Sequence, residues 1–168
     1  IRQRSVFLIL VISMALPSLL KSRLAMPIIS APMFIISGPE LVVAQCKAGI
    51  VGSFPALNAR PQAVLAQWLE RIQDELTEYQ DANPSAKVAP YAVNLIVHKS
   101  NDRLAADVDT CIEYKVPIII TSLRALDPDL VARIHAYGGI IFHDVINVRH
   151  AKKAIAAVVD GLVLVCAG

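Results

Sequence analysis

The sequence is poor in aromatic residues, which make up 5% of it, and its net charge is only +2. With no basic stripe interleaved with aromatics, it argues against a nucleic-acid partner. Cysteine is scarce as well. Cys46, Cys111 and Cys166 lie far apart without a Cys-x-x-Cys spacing, which argues against a zinc knuckle or a disulfide framework. Buried thiols in a reducing, cytoplasmic compartment are expected, and no metal site. No apolar run is comfortable as a membrane span. Arg2, Arg4 and the stretch Val6 to Ile12 resemble the charged and apolar parts of a signal peptide, but the run is short. Met14 opens a short amphipathic lead-in, so residues 1–13 are read as upstream translated sequence in preference to a signal, and 14–168 as the domain. Also missing is any Gly-x-Gly-x-x-Gly or Gly-x-x-x-x-Gly-Lys after a strand, the loops that cradle phosphates in open nucleotide-binding sheets.

What is present is aliphatic. An apolar fraction of 55% with so few aromatics suits parallel strands buried on both faces, and 168 residues can hold one domain with a substantial core. The run Pro27-Ile28-Ile29-Ser30-Ala31-Pro32-Met33-Phe34 reads as a first strand stopped by Pro32, which cannot donate to a ladder. A helix from Pro39 to Ala48, closed by Gly49, leads to a second strand, Ile50 to Phe54. Asn58 is placed to cap the next helix, whose Val64, Leu65, Trp68, Leu69, Ile72 and Leu76 share one face. Further strands are expected at Tyr91–Val97, Val116–Thr121, Ile140–His143 and Leu162–Cys166. Helices over 102–115, after the Asp127 cap and after the Asn147 cap separate them. A loose repeat accompanies this alternation: Lys47-Ala-Gly-Ile-Val, Lys115-Val-Pro-Ile-Ile, Tyr137-Gly-Gly-Ile-Ile and Asp160-Gly-Leu-Val-Leu.

Strict strand and helix alternation implies an α/β fold with a parallel sheet and right-handed crossovers. The missing phosphate loops and the polar residues at several strand ends favour a TIM barrel over an open sheet. A closed barrel takes eight strands and about 250 residues, so the chain reads as a barrel truncated after about the sixth strand.

The C-terminal strand ends share one face, where Ala31, Pro32, Met33, Ser53, Asn94, Thr121, Ser122, His143, Asp144 and Cys166 gather. A strand ending in small residues plus one soft side chain makes a floor for a flat ligand, with the Ser30 and Ala31 backbone reachable and Met33 packing on it. Asn94 and His143 can serve the edge of a flavin-like ring. Each has a plainer reading: Met33 as core filler, Asn94 as a satisfied buried amide, Thr121 and Ser122 as the start of a loop. His150 is read as packing or capping, and His98 and His135 as solvated or structural.

The segments Pro27-Ile-Ile-Ser-Ala-Pro-Met33, Ala48-Gly-Ile-Val-Gly52, Val93-Asn-Leu-Ile96 and His143-Asp-Val-Ile-Asn-Val-Arg-His-Ala-Lys-Lys153 resemble the nitronate monooxygenases, also called 2-nitropropane dioxygenases. The resemblance runs from about Leu16 to Gly168. It implies a TIM barrel that holds FMN non-covalently and oxidises alkyl nitronates with O2 to a carbonyl compound and nitrite. By motif, Ala31, Pro32 and Met33 are expected on the isoalloxazine, Asn94 as a hydrogen-bond partner of the flavin, and His143 at the flavin site. Asp144 departs from the lysine of some members. The family's base histidine, in Ala-Gly-Gly-His-x-Gly, is expected just beyond Gly168, so no catalytic residue is assigned within the chain. The last two strands, whose loops hold the FMN phosphate, are expected after it. Flavin-dependent enoyl-acyl-carrier-protein reductases share the first motif and are the alternative; a non-catalytic barrel remnant is a second. A homodimer covering open strand edges is a further expectation.

Overall fold

The computed structural model describes residues 16–124 and 126–165. The expectations for residues 1–15 and for Cys166, Ala167 and Gly168 lie outside the described residues. Five strands, β1 (Gly52–Pro55), β2 (Tyr91–Ile96), β3 (Ile118–Ser122), β4 (Ile140–Val145) and β5 (Gly161–Leu164), alternate with helices. The helices are α1 (Pro39–Lys47), α2 (Val64–Ala82), α3 (Leu104–Glu113), α4 (Pro128–Ala136) and α5 (Val148–Ala156). All neighbouring strands are parallel and the sheet order is β1-β2-β3-β4-β5. A doubly wound sheet reverses its order at a switch point, whereas a barrel keeps adding strands in one direction. The observed order is that of a barrel.

The expected first strand is reduced to a single parallel bridge between Ile29 and Val51. Ser30 N donates to Val51 O at 2.9 Å and Val51 N to Ile28 O at 3.0 Å. Pro27 and Pro32 supply no donors on either side, which limits the ladder to these two bonds. The segment still sits beside β1, where a first strand belongs.

Alternate strand residues enter two separate clusters. Phe54, Val93, Leu95, Ile119 and Ile141 pack against the helices, with Leu65, Leu69 and Ile134 among their partners. Val51, Ala92, Ile118, Ile120 and Ile140 form a second cluster on the interior face, closed by Leu20. Both faces are therefore buried, as the aliphatic composition requires. Trp68 packs edge-on against Phe54 with ring centroids 5.6 Å apart. At Gly52 α1 approaches β1 so closely that a Cβ would stand 2.4 Å from Val42 O. The thiols of Cys46 and Cys111 are buried, and burial pushes the Cys46 pKa up to about 11.

The repeat seen in the sequence has a structural cause. Four helices stop in the same way, with a residue of positive φ one past the cap: Gly49 (φ 80), Lys115 (φ 48), Gly138 (φ 86) and Val158 (φ 61). Each donates to the carbonyl three residues back, as Gly49 N does to Cys46 O and Val158 N to Ile155 O. The next amide reaches one turn further, as Ile50 N does to Gln45 O and Val116 N to Cys111 O. This is the Schellman stop, repeated before β1, β3, β4 and β5. A β-branched residue is poorly suited to that conformation. Val158 is also 64% exposed, so it has little burial to lose. Val158→Gly is expected to stabilise the fold by about 1 kcal/mol, read as a higher urea midpoint at unchanged slope.

The caps at Asp127 and Asn147 form as expected, accepting from Asp129 N and His150 N, each at 2.9 Å. Asn58 does not cap α2. It lies in a short 3-10 turn over Ala56–Asn58, six residues before Val64, and its amide is committed elsewhere. The backbone turn at Pro61 and Gln62 receives Val64 N and Leu65 N instead.

Candidate functional site

The interior face is apolar at the bottom of the sheet and polar at the top. Asn94 on β2 is 4% exposed and shares its face with Ala92 below it. Its Nδ2 donates to Ile120 O at 3.2 Å and to Ser122 Oγ at 2.8 Å. Ser122 Oγ in turn donates to Asp144 Oδ2 at 2.6 Å. Three strands are thus joined by one directed chain, Asn94 to Ser122 to Asp144. Both amide hydrogens of Asn94 are used, and a buried amide satisfied this way is held in one orientation. Its oxygen is the acceptor left to offer a ligand.

Asp144 and Ser122 also line a cleft of 270 Å³ with Leu123, Ile146, His150 and Val165. His150, read from sequence as packing or capping, does enter the α5 cap through its backbone N–H, and the residue also lines this cleft. A larger cleft of 550 Å³ beside the N-terminal end of β2, lined by Arg23, Gln80, Asp81 and Lys87 among others, is remote from this polar chain. In a parallel barrel the chemistry belongs at the C-terminal ends.

Ala31 is exposed, Pro32 half-buried and Met33 40% exposed, so this segment is open to a ligand at the rim. The Ser30 backbone is already engaged within the fold. Its N–H donates to Val51 O, and its carbonyl accepts the Ser53 hydroxyl. Beyond Pro32 the chain forms a tight loop in which Met33 N donates to Ser37 Oγ and Ser37 N to Met33 O, both at 3.0 Å. Behind the rim, Arg103 pairs through Nε and Nη2 with the buried carboxylate of Asp107. The same guanidinium donates to Ala59 O at 2.8 Å and Ala56 O at 3.2 Å, fixing the turn that follows β1.

His143 is not brought to this rim. Side chains alternate along β4, so Phe142 packs on the interior cluster, Ile141 on the helix side, and His143 follows Ile141. Its Nδ1 lies 2.7 Å from Thr121 Oγ1, and both residues are buried. Burial lowers the His143 pKa, opposed by the Asp144 charge and the Thr121 contact. Asp144 takes the interior place on β4. His135 is structural: its Nε2 meets Asp160 Oδ2 at 2.9 Å, and the same oxygen receives Ile141 N. His98 bonds Ser100 in the loop after β2. Among the described residues no group of three or more His, Cys, Asp or Glu could hold a metal, and no helix is long and apolar enough to cross a membrane.

No family model matches the chain, and no curated protein matches it by sequence. Among solved structures it is similar to nitroalkane oxidase from Streptomyces ansochromogenes, with a TM-score of 0.73 and 18% identity over 88% of this chain and 48% of that one. FabK from Thermotoga maritima gives a TM-score of 0.68 and 20% identity over 87% of this chain and 42% of that one. The chain spans about half the length of the solved structures it resembles. The likeness is one of fold: strand order, parallel pairing and alternating helices are those of part of a (β/α)8 barrel shared with these two proteins.

Proposed function

We propose that the chain carries the flavin-facing part of an FMN-dependent oxidoreductase that oxidises alkyl nitronates with O2 to a carbonyl compound and nitrite. The observation that carries this reading is the pairing, on one rim, of the open Ala31-Pro32-Met33 segment with the Asn94–Ser122–Asp144 chain. A flat heteroaromatic ligand needs an apolar surface under its face and fixed polar atoms at its edge. Those are the two elements present, so the residues fit FMN. Ala31, Pro32 and Met33 would lie under the ring, and the Asn94 oxygen would accept a hydrogen bond at its edge. The Asp144 carboxylate, set by Ser122, would orient a donor beside it. His143 supports from behind β4 through Thr121. FMN, when bound, supplies the two-electron acceptor for a nitronate and the route of those electrons to oxygen.

A second reading, reduction of an enoyl thioester, is favoured by the likeness to FabK, whose TM-score is close to that of the nitroalkane oxidase. The two separate in one experiment. A nitronate should bleach the FMN-loaded protein without oxygen and turn over once oxygen is admitted. Bleaching by NAD(P)H, with an enoyl thioester as acceptor, assigns the enoyl reductase class instead. Asn94→Ala is expected to cost about 1–3 kcal/mol of FMN affinity, roughly five- to 150-fold in Kd. If FMN affinity and flavin spectrum stay unchanged in both Asn94→Ala and Met33→Ala, the site is misplaced.

A further inference from the structure

We infer that Asn58 is a positioning residue that holds the Met33–Ser37 loop in the conformation that presents Met33 at the rim; its bearing on cofactor binding rests on the flavin reading above. One amide serves three backbone groups of that loop. Asn58 Oδ1 accepts Ile35 N at 3.0 Å, while Nδ2 donates to Met33 O at 3.0 Å and to Ser37 O at 2.9 Å. Besides the two Met33–Ser37 bonds, the loop is held at Phe34 by the Arg60 guanidinium, 5.2 Å from the ring centroid. Phe34, Ile35 and Ile36 are 56%, 79% and 67% exposed, so hydrophobic burial does not fix their positions. Ile35 also has φ 67, a conformation that costs a β-branched residue energy and persists only when its surroundings impose it. The three Asn58 bonds straddle that residue and, with the Met33–Ser37 bonds, supply the constraint.

Asn58 is itself fixed from behind. Its turn is bracketed by Ala56 O and Ala59 O, the two carbonyls that receive the Arg103 guanidinium, and Arg103 is locked by buried Asp107. A route of direct contacts thus runs from α3 through the 3-10 turn to the floor of the rim. Neither Asn58 nor Arg103 needs to touch a ligand for either to set where Met33 stands.

The test is amide hydrogen exchange together with an FMN titration by fluorescence quenching, both on the full-length protein, for the unsubstituted sequence, Asn58→Ala, Asn58→Asp and Met33→Ala. In Asn58→Ala, exchange at Met33, Ile35 and Ser37 should speed up about tenfold or more, while β2–β4 amides stay slow and report an intact fold. FMN should bind about tenfold more weakly. Asn58→Asp keeps the acceptor for Ile35 N but sets a carboxylate against the Met33 and Ser37 carbonyls. Its loop should be loose at neutral pH and tighten, after correction for intrinsic exchange, toward pH about 4 as the carboxyl gains a proton to donate. Unchanged loop exchange in Asn58→Ala overturns the clamp. Fast loop exchange with unchanged FMN affinity overturns the positioning role if Met33→Ala does weaken FMN. If Met33→Ala also leaves FMN binding untouched, the flavin reading has failed, and the positioning role toward it falls on that ground while the exchange data still report the clamp.

Discussion

Arg103→Ala is expected to lower stability by about 3–5 kcal/mol, a large part of what holds an ordinary domain folded. The guanidinium is the charged partner of an Asp107 side chain that is 1% exposed, and it also satisfies Ala56 O and Ala59 O. Removing it leaves a carboxylate buried without a counter-charge and the Ala59 carbonyl without a donor, while Ala56 O keeps the Ala59 N–H. The cost comes from what remains rather than from the bond lost. A double substitution, Arg103→Met with Asp107→Leu, removes the stranded charge along with its partner and should recover more than half of the loss. Urea denaturation of the three proteins decides this, and equal destabilisation in the single and double variants would show that the carboxylate is not the source.

Gly52→Ala is expected to cost about 3 kcal/mol, with a fall in melting temperature to match. The added methyl would meet Val42 O at 2.4 Å and Cys46 Sγ at 3.0 Å, and a helix backbone cannot yield as a flexible side chain can. Gly138→Ala is the useful comparison. There φ is +86 but nothing lies within 4 Å of the new Cβ, so only conformational strain is added, about 1 kcal/mol. If the two variants melt together, close approach of α1 to β1 does not limit the fold.

The strand and helix alternation was legible because its signals are local. Pro39 and Gly49 bracket α1, Asp127 and Asn147 cap their helices through their own side chains, and the aliphatic runs leave no other place for strands. The buried thiols at Cys46 and Cys111 followed from the same reading. What sequence alone left open depends on distant partners. Asn58 has the chemistry of a cap, and only the fold brings Met33 and Ser37, at least twenty-one residues away, within its reach. Ile28 and Ile29 read as strand, yet prolines on both sides leave one bridge. The face taken by His143 or Asp144 is a question of parity, settled by which of Ile141 and Phe142 the helices bury. Arg103 and Asp107 stand four apart, a spacing visible in the sequence, but such pairs are usually solvent-exposed and weak. Only the burial of Asp107 makes this one matter.

The period-two alternation has a consequence for how substitutions combine. Thr121 and Ser122 are adjacent in the chain, as are His143 and Asp144, yet the members of each pair answer to different neighbours on opposite sides of the sheet. Ser122 and Asp144, twenty-two residues apart, share a proton donor and acceptor. Energetic independence here follows the sheet rather than the sequence. Changes at Thr121 and Ser122 should therefore sum almost without interaction, whereas changes at Ser122 and Asp144 should show a coupling energy, because the second removes a partner that the first has already left idle.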